Sequence, residues 1–372
     1  MVLKSLDYKE FFDSKEKPIF NSEGDSAWSV TGLSYNPKFN LIVGENSTGK
    51  TRSINVINNL AKFIVGKKKF KNGEWNLTFN DQGKEFVYKI SLKEGLITYE
   101  HIIFDNEVLL RRADNQVKLR NFVSNEDVEI SPPDDSLVLQ VRRDEKEYPY
   151  FEKLITWAKN THGFTVLLST NEVQIPSDSK DLESLASAVY FFDTFSDTSK
   201  DSVLRGLADI GYAIEKIHVE ENLIKNIRVK LAEFKESSLP FRFNQLKIST
   251  GLMRLFGLLV ALEYTILNSN NTGEDHLLLI DDIGEGLDIT KSKNLIDLFK
   301  KRILENKHIQ FIGASNDVTL LNTVDIEYWN ITKRCGYEVK AFNIKNSKKK
   351  FDDFEFTGLN NTSLLNFIQD GS

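Results

Sequence analysis

Phe39-Asn40-Leu41-Ile42-Val43-Gly44-Glu45-Asn46-Ser47-Thr48-Gly49-Lys50-Thr51 is an apolar strand running into G-x-x-x-x-G-K-T, with a helical pattern following from Arg52 to Val65. That context makes the stretch a phosphate-binding P-loop. Glycines at Gly44 and Gly49 let the backbone N–H groups of Asn46, Ser47 and Thr48 turn inward around an anion. The helix that follows adds the positive end of its dipole. Lys50 is placed to reach the β- and γ-phosphates of ATP, and the Thr51 hydroxyl to bind Mg2+.

A P-loop needs a carboxylate strand to hold the metal and orient the attacking water. His276-Leu277-Leu278-Leu279-Ile280-Asp281-Asp282 supplies one, an apolar run that suits a buried parallel strand and ends in two aspartates. Asp281 is expected to hold Mg2+ and Asp282 to act as general base, with Glu285 a weaker rival. Gln140, closing the Ser136–Val141 run, is a candidate Mg2+ sensor.

The rest of the composition describes an ordinary globular chain. It has 372 residues, 40% hydrophobic and 27% charged, with net charge −6. No run is read as approaching the 18 or so apolar residues of a membrane span, and no signal-peptide pattern opens the chain. A single cysteine, Cys335, excludes an internal disulfide, so a cytoplasmic protein is expected. The acidic balance argues mildly against a dedicated nucleic-acid binder. Local basic runs, among them Lys67 to Lys71 and Lys348 to Lys350, suit solvated loops or helix ends.

From Trp75 to Val123 apolar residues alternate with polar ones between Gly83, Gly95 and Asn106, an antiparallel meander with one wet face. Lys200 to Tyr212 reads as a helix with Ser199 as its cap, and Ile227 to Leu231 as a strand or helix. Three parts are expected: residues 1–147 with the P-loop and meander, a mainly helical lobe over 148–245, and 246–372 with the remaining motifs.

Ile248-Ser249-Thr250-Gly251-Leu252-Met253-Arg254-Leu255 precedes the carboxylate strand, and Gly284-Glu285-Gly286-Leu287-Asp288 follows it. Alone, Ser249 to Gly251 is what a helix cap looks like. Beside the other motifs, it resembles the signature of ABC-type ATPase heads. The closest resemblance is to the prokaryotic AAA-named, OLD-like and SMC-like group. The fold class implied is α/β, with a mixed, mainly parallel core sheet, an antiparallel β-subdomain and a helical lobe. The resemblance implies a head-to-tail dimer that sandwiches ATP, with Ser249 and Gly251 acting across the interface and Asp288 near it. It implies Asn316, after the strand Ile309–Ser315, at the place of a switch histidine. The residues after that strand are too few for the nuclease of OLD proteins, so the effector, a nuclease or toxin of an antiphage system, is expected to be separate. Two departures point to slow turnover: Asp282 stands where active heads carry Glu, and Asn316 cannot titrate near neutrality. The alternative reading is an SMC- or repair-like ATPase acting directly on DNA; no membrane partner is expected.

Overall fold

The computed structural model describes residues 1–12, 26–70, 72–113, 116–164, 185–224 and 227–370. Lys71 of the basic run lies outside them. Two compact units are present, Met1–Thr161 with Asp325–Ser372, and His162–Val324.

The first unit opens with β1 (Val2–Phe11), β2 (Ser26–Ser34) and β3 (Phe39–Val43), the last buried at every residue. Helix α1 (Lys50–Ile64) follows the P-loop. Then comes the meander: β4 (Gly73–Asp81), β5 (Lys84–Lys93), β6 (Leu96–Phe104), β7 (Glu107–Ala113), β8 (Gln116–Asn121) and β9 (Glu126–Ile130), each antiparallel to the next. Its first three hairpins turn on Gln82-Gly83, Glu94-Gly95 and Asp105-Asn106, all with positive φ. Two such residues give the turn whose twist matches that of the strands.

One face of the meander is buried. Trp75 contacts Tyr8 at a tilt and Phe70 edge-on, and Phe70 meets Phe63 of α1 edge-on. The short α2 (Val138–Val141) and α3 (Pro149–Lys159) lie beyond, with Trp157 of α3 against Phe79. The run Ser136–Val141 therefore ends in a helical turn.

The second unit contains β10 (Thr161–Phe164), α4 (Leu185–Thr194), α5 (Asp197–Ile210), β11 (Ile214–Ile224), β12 (Ile227–Glu236) and β13 (Arg242–Asn244). The stretch expected to be mainly helical thus carries an antiparallel sheet, β11-β12-β13, beside its helices. Helix α5 is capped by Ser196, not Ser199: the Ser196 hydroxyl accepts from the Ser199 N–H.

Next come α6 (Thr250–Thr272), β14 (His276–Ile280), α7 (Ile289–Glu305), β15 (Ile309–Ser315) and α8 (Val318–Leu321). Strands β14 and β15 are parallel and wholly buried. Helix α6 corrects one expectation. It has 23 residues and holds an 18-residue stretch of mean hydropathy 1.5, long and apolar enough to cross a membrane, although 67% of that stretch is buried inside the protein. Its polar Glu263 is buried too, paired with Arg302 and accepting from Ser202.

The chain then returns to the first unit with β16 (Trp329–Cys335), β17 (Glu338–Phe342), α9 (Lys348–Glu355) and α10 (Ser363–Asp370). Strand β16 pairs parallel with β3, and β17 parallel with β2. The P-loop strand is thereby built into a sheet running β3-β16-β17-β2-β1 and on through the meander.

A buried charge ties the meander to α2. Glu100 is fully buried; it accepts from the Val138 N–H at 2.9 Å and from the Tyr88 hydroxyl at 3.2 Å. Arg112, its register partner on β7, donates to the carbonyls of Ser136 and Pro133. Burial pushes the Glu100 carboxyl up from 4.5 to about 7, against the pull of Val138, Arg112 and Tyr88. The folded state therefore holds this proton more tightly than the unfolded one, and Glu100 lowers stability as the pH rises from about 4.5 to about 7. Glu100→Gln keeps an acceptor for Val138 and removes the titration. Its melting temperature relative to wild type is expected to rise between pH 5 and pH 8; a constant difference would refute the assignment.

Candidate functional site

The P-loop is shaped by left-handed backbone and by close packing beneath it. Gly44, Ser47 and Gly49 have φ of 155°, 64° and 94°. A Cβ at Gly44 would stand 2.7 Å from the Thr332 carbonyl oxygen, and one at Gly49 3.1 Å from both Trp28 and Val339. The loop thus rests directly on β16, β2 and β17. Thr48 is turned inward: its hydroxyl lies 2.9 Å from the Glu45 carbonyl and 2.8 Å from the Thr332 hydroxyl, itself 3.1 Å from the Val43 carbonyl, so the two hydroxyl protons are shared among three contacts. Thr48 therefore offers a phosphate its backbone N–H and not its side chain.

Lys50 spans the loop, donating from Nζ to the carbonyls of Gly44 at 2.8 Å and Glu45 at 2.7 Å. No side chain caps α1, whose N-cap is Gly49. Its first N–H groups and an ammonium therefore converge on one cradle, an anion site of the P-loop kind. Thr51 is exposed at the same helix end. Arg52 lies over the Trp28 ring at 4.5 Å and pairs with Glu10, fastening the first turn to β2 and β1.

Gln140 lies at the far end of α1. Its amide donates to the carbonyls of Phe63 at 2.6 Å and Ile64 at 3.2 Å, at the C-terminal end of α1. Fifteen residues at 1.5 Å each separate that end from the P-loop by about 20 Å. Gln140 caps the helix there, away from the loop; its spacing from the P-loop gave no sign of this contact.

In the second unit, Asp281 and Asp282 end β14 half-exposed, and Asp282 adopts φ of 51°, which Asp tolerates better than most residues. Beneath this turn lies Arg254, 1% exposed on α6. It donates to the Asp282 carbonyl and to the Glu285 carboxylate at 3.3 Å. Burial draws the guanidinium below its ordinary value, while Glu285, Asp282 and Asp281 hold it up. Glu285 is engaged in this contact with Arg254. Arg254 is the site residue that sequence reasoning missed; its signal was a lone arginine inside the apolar run Leu252–Leu262.

The signature helix begins beside the loop that follows. A Cβ on Gly251 would stand 3.3 Å from the Gly286 carbonyl oxygen and 3.6 Å from the Tyr212 hydroxyl. Ser249 is the N-cap of α6, accepting from the Leu252 N–H, and Asp288 the N-cap of α7, accepting from Lys291. Hydrogen bonds from Lys291 hold the Asp288 carboxyl below its usual range. Both caps are exposed, as is Asn316 after β15.

A cradle of this form on a strand–loop–helix unit defines a P-loop ATPase. Residues 39–322 match the family profile described as "AAA domain, putative AbiEii toxin, Type IV TA system", and the chain belongs to that family. No curated protein matches it. Among solved structures it is similar to an SmcHead bound to the C-winged helix domain of ScpA, at 13% identity over 94% of this chain and 100% of that one, with a TM-score of 0.52. It is also similar to an SMC head domain from Thermotoga maritima, at 15% identity over 92% of this chain and 99% of that one, TM-score 0.43. A third is an Smc head domain with an extended coiled coil, bound to the C-terminal domain of ScpA derived from Pyrococcus furiosus (11% identity, 95% and 99% covered, TM-score 0.47). The first likeness shows the fold, that of an SMC-type head.

Gln140→Ala is expected to lower stability by about 1 kcal/mol through two lost hydrogen bonds, with Mg-ATP affinity unchanged. Melting curves and nucleotide titrations with and without Mg2+ check this; a Mg2+-dependent loss of affinity would return Gln140 to the metal.

Proposed function

We propose that this chain is a slowly hydrolysing ABC-type ATPase that dimerises around ATP and controls a separate effector. The observation that carries the reading is the P-loop cradle, with Lys50 held by Gly44 and Glu45 over an uncapped helix end. In this reading the backbone of Asn46 to Thr48 and Lys50 bind the phosphates. Thr51 and Asp281 would hold Mg2+, whose hard, oxygen-preferring chemistry suits a hydroxyl and a carboxylate. The ion would supply charge neutralisation for the phosphates. Asp282 takes the proton from the attacking water; Asn316 donates a hydrogen bond to it or to the γ-phosphate.

Slow turnover is supported by the chemistry of the last two groups. Asp282 is one methylene shorter than Glu, and its carbonyl is tied to Arg254. Asn316 has no proton to exchange at neutral pH. Dimerisation is supported by the exposure of Ser249, Asp288 and Ile289 at two neighbouring helix ends. In this reading the Ser249 hydroxyl and the N–H groups at the start of α6 offer an anion site that a second copy's γ-phosphate can complete, with Asp288 near it. In this reading the protein serves cytoplasmic defence with a partner nuclease or toxin; the family description, with its toxin and type IV toxin–antitoxin system, supports the link to a toxin.

Lys50→Ala is expected to abolish ATP binding. Wild-type turnover should stay below about 10 per second, the median of ordinary enzymes. Asp282→Asn should accumulate an ATP-bound dimer, visible by light scattering after size-exclusion chromatography. A monomer in saturating ATP would overturn the dimer reading.

A further inference from the structure

The exposed face of the meander has a use that ATP hydrolysis does not require. Register places Lys89 opposite His101, His101 opposite Arg111, and Arg111 opposite Lys118. These four side chains form one row across β5 to β8, on the face away from buried Tyr88, Glu100 and Leu119. With strands about 4.8 Å apart, the row is about 14 Å long. Arg111 and Lys118 are exposed, and Lys89 partly so. Among the described residues neither Lys89 nor Arg111 has an ion-pair partner. At its far end Lys118 lies 3.2 Å from Glu129 on edge strand β9, and Glu74 of β4 acts electrostatically on Tyr99 beside the row.

Aromatic rings accompany these cations. Tyr99 lies beside the row, its hydroxyl 2.6 Å from His101 Nδ1. Phe11 lies between two ammonium groups, Lys9 and Lys93, each 5.4 Å from its ring. Burial, then Lys89 and Arg111, hold His101 below its ordinary value. At neutral pH it is therefore a hydrogen-bonding member of the row and not a charge.

We infer that this face binds single-stranded nucleic acid, the cation row following the phosphates while Tyr99 and Phe11 stack bases. Sheet faces that combine cations with aromatic rings serve single strands because every unpaired base has a π-face to stack. A duplex offers phosphates but hides those faces, leaving both rings unused. The surface is local, standing within a chain of net charge −6, and it does not depend on the proposed ATPase cycle.

The test is fluorescence anisotropy of labelled 20-nucleotide oligo-dT and oligo-U on the full chain, with a 20-base-pair duplex as comparison. Tyr99→Ala is expected to weaken oligonucleotide binding roughly 5- to 100-fold, the range for one stacked base. Lys89→Ala with Arg111→Ala should reduce the slope of log affinity against log salt by about 1.4, two released counterions at 0.7 each. Lys50→Ala should bind the oligonucleotide as wild type does, separating this surface from the nucleotide site. Circular dichroism melts verify that the variants fold. Absence of binding, tighter binding of the duplex, equal binding of polyglutamate, or unchanged affinity and salt slope in folded variants would each overturn the inference.

Discussion

The chain turns on the electrostatics of one helix end. Helix α1 starts at a left-handed glycine with no side chain to satisfy its first N–H groups. Lys50 fills the same space while its own charge leans on two loop carbonyls. Leaving those groups for a ligand costs stability, and the surrounding packing offsets it. Trp28 and Val339 leave no room for a side chain at Gly49, Thr332 pins the loop through Thr48, and Arg52 stacks on Trp28. A rigid cradle matters because an anion site that must first be assembled binds correspondingly less tightly.

The second unit solves a related problem with a buried cation. Arg254 could not remain charged under 1% exposure without partners, and the acidic turn after β14 supplies them. The signature helix and the carboxylate strand are thereby linked through Arg254 as well as through apolar contact. Removing the guanidinium would leave Asp281, Asp282 and Glu285 facing one another with less to balance them. The same arrangement explains why Glu285, although three positions from the proposed base, is occupied with structure.

Much of the fold was legible because its signals are local. The P-loop, the apolar strand ending in Asp281 and the alternation of β4 to β6 follow from spacing within a dozen residues, and each appears as a strand or strand–loop–helix unit. What escaped the sequence depends on contacts between distant segments. Gln140 reaches α1 from 76 and 77 positions away, so its helix-capping role had no local signature. Arg254 looked like one polar residue in an apolar helix. Ser196 and Ser199 both suit a cap, and only the backbone geometry decides between them. Thr332 lies 284 positions from Thr48, yet shapes the phosphate loop more directly than most residues inside it.

Helix α1 is gripped at both ends, by the loop packing at Gly49 and by the Gln140 amide at Phe63 and Ile64. The segment that bears Gln140 is itself clamped by Glu100 and Arg112. A rod fixed at its two ends is a strut: a small displacement at one end must appear at the other, because a continuously hydrogen-bonded helix bends little over four turns. Occupancy of the phosphate cradle is therefore mechanically joined to the root of the meander some 20 Å away, with no hinge between them to absorb the stroke.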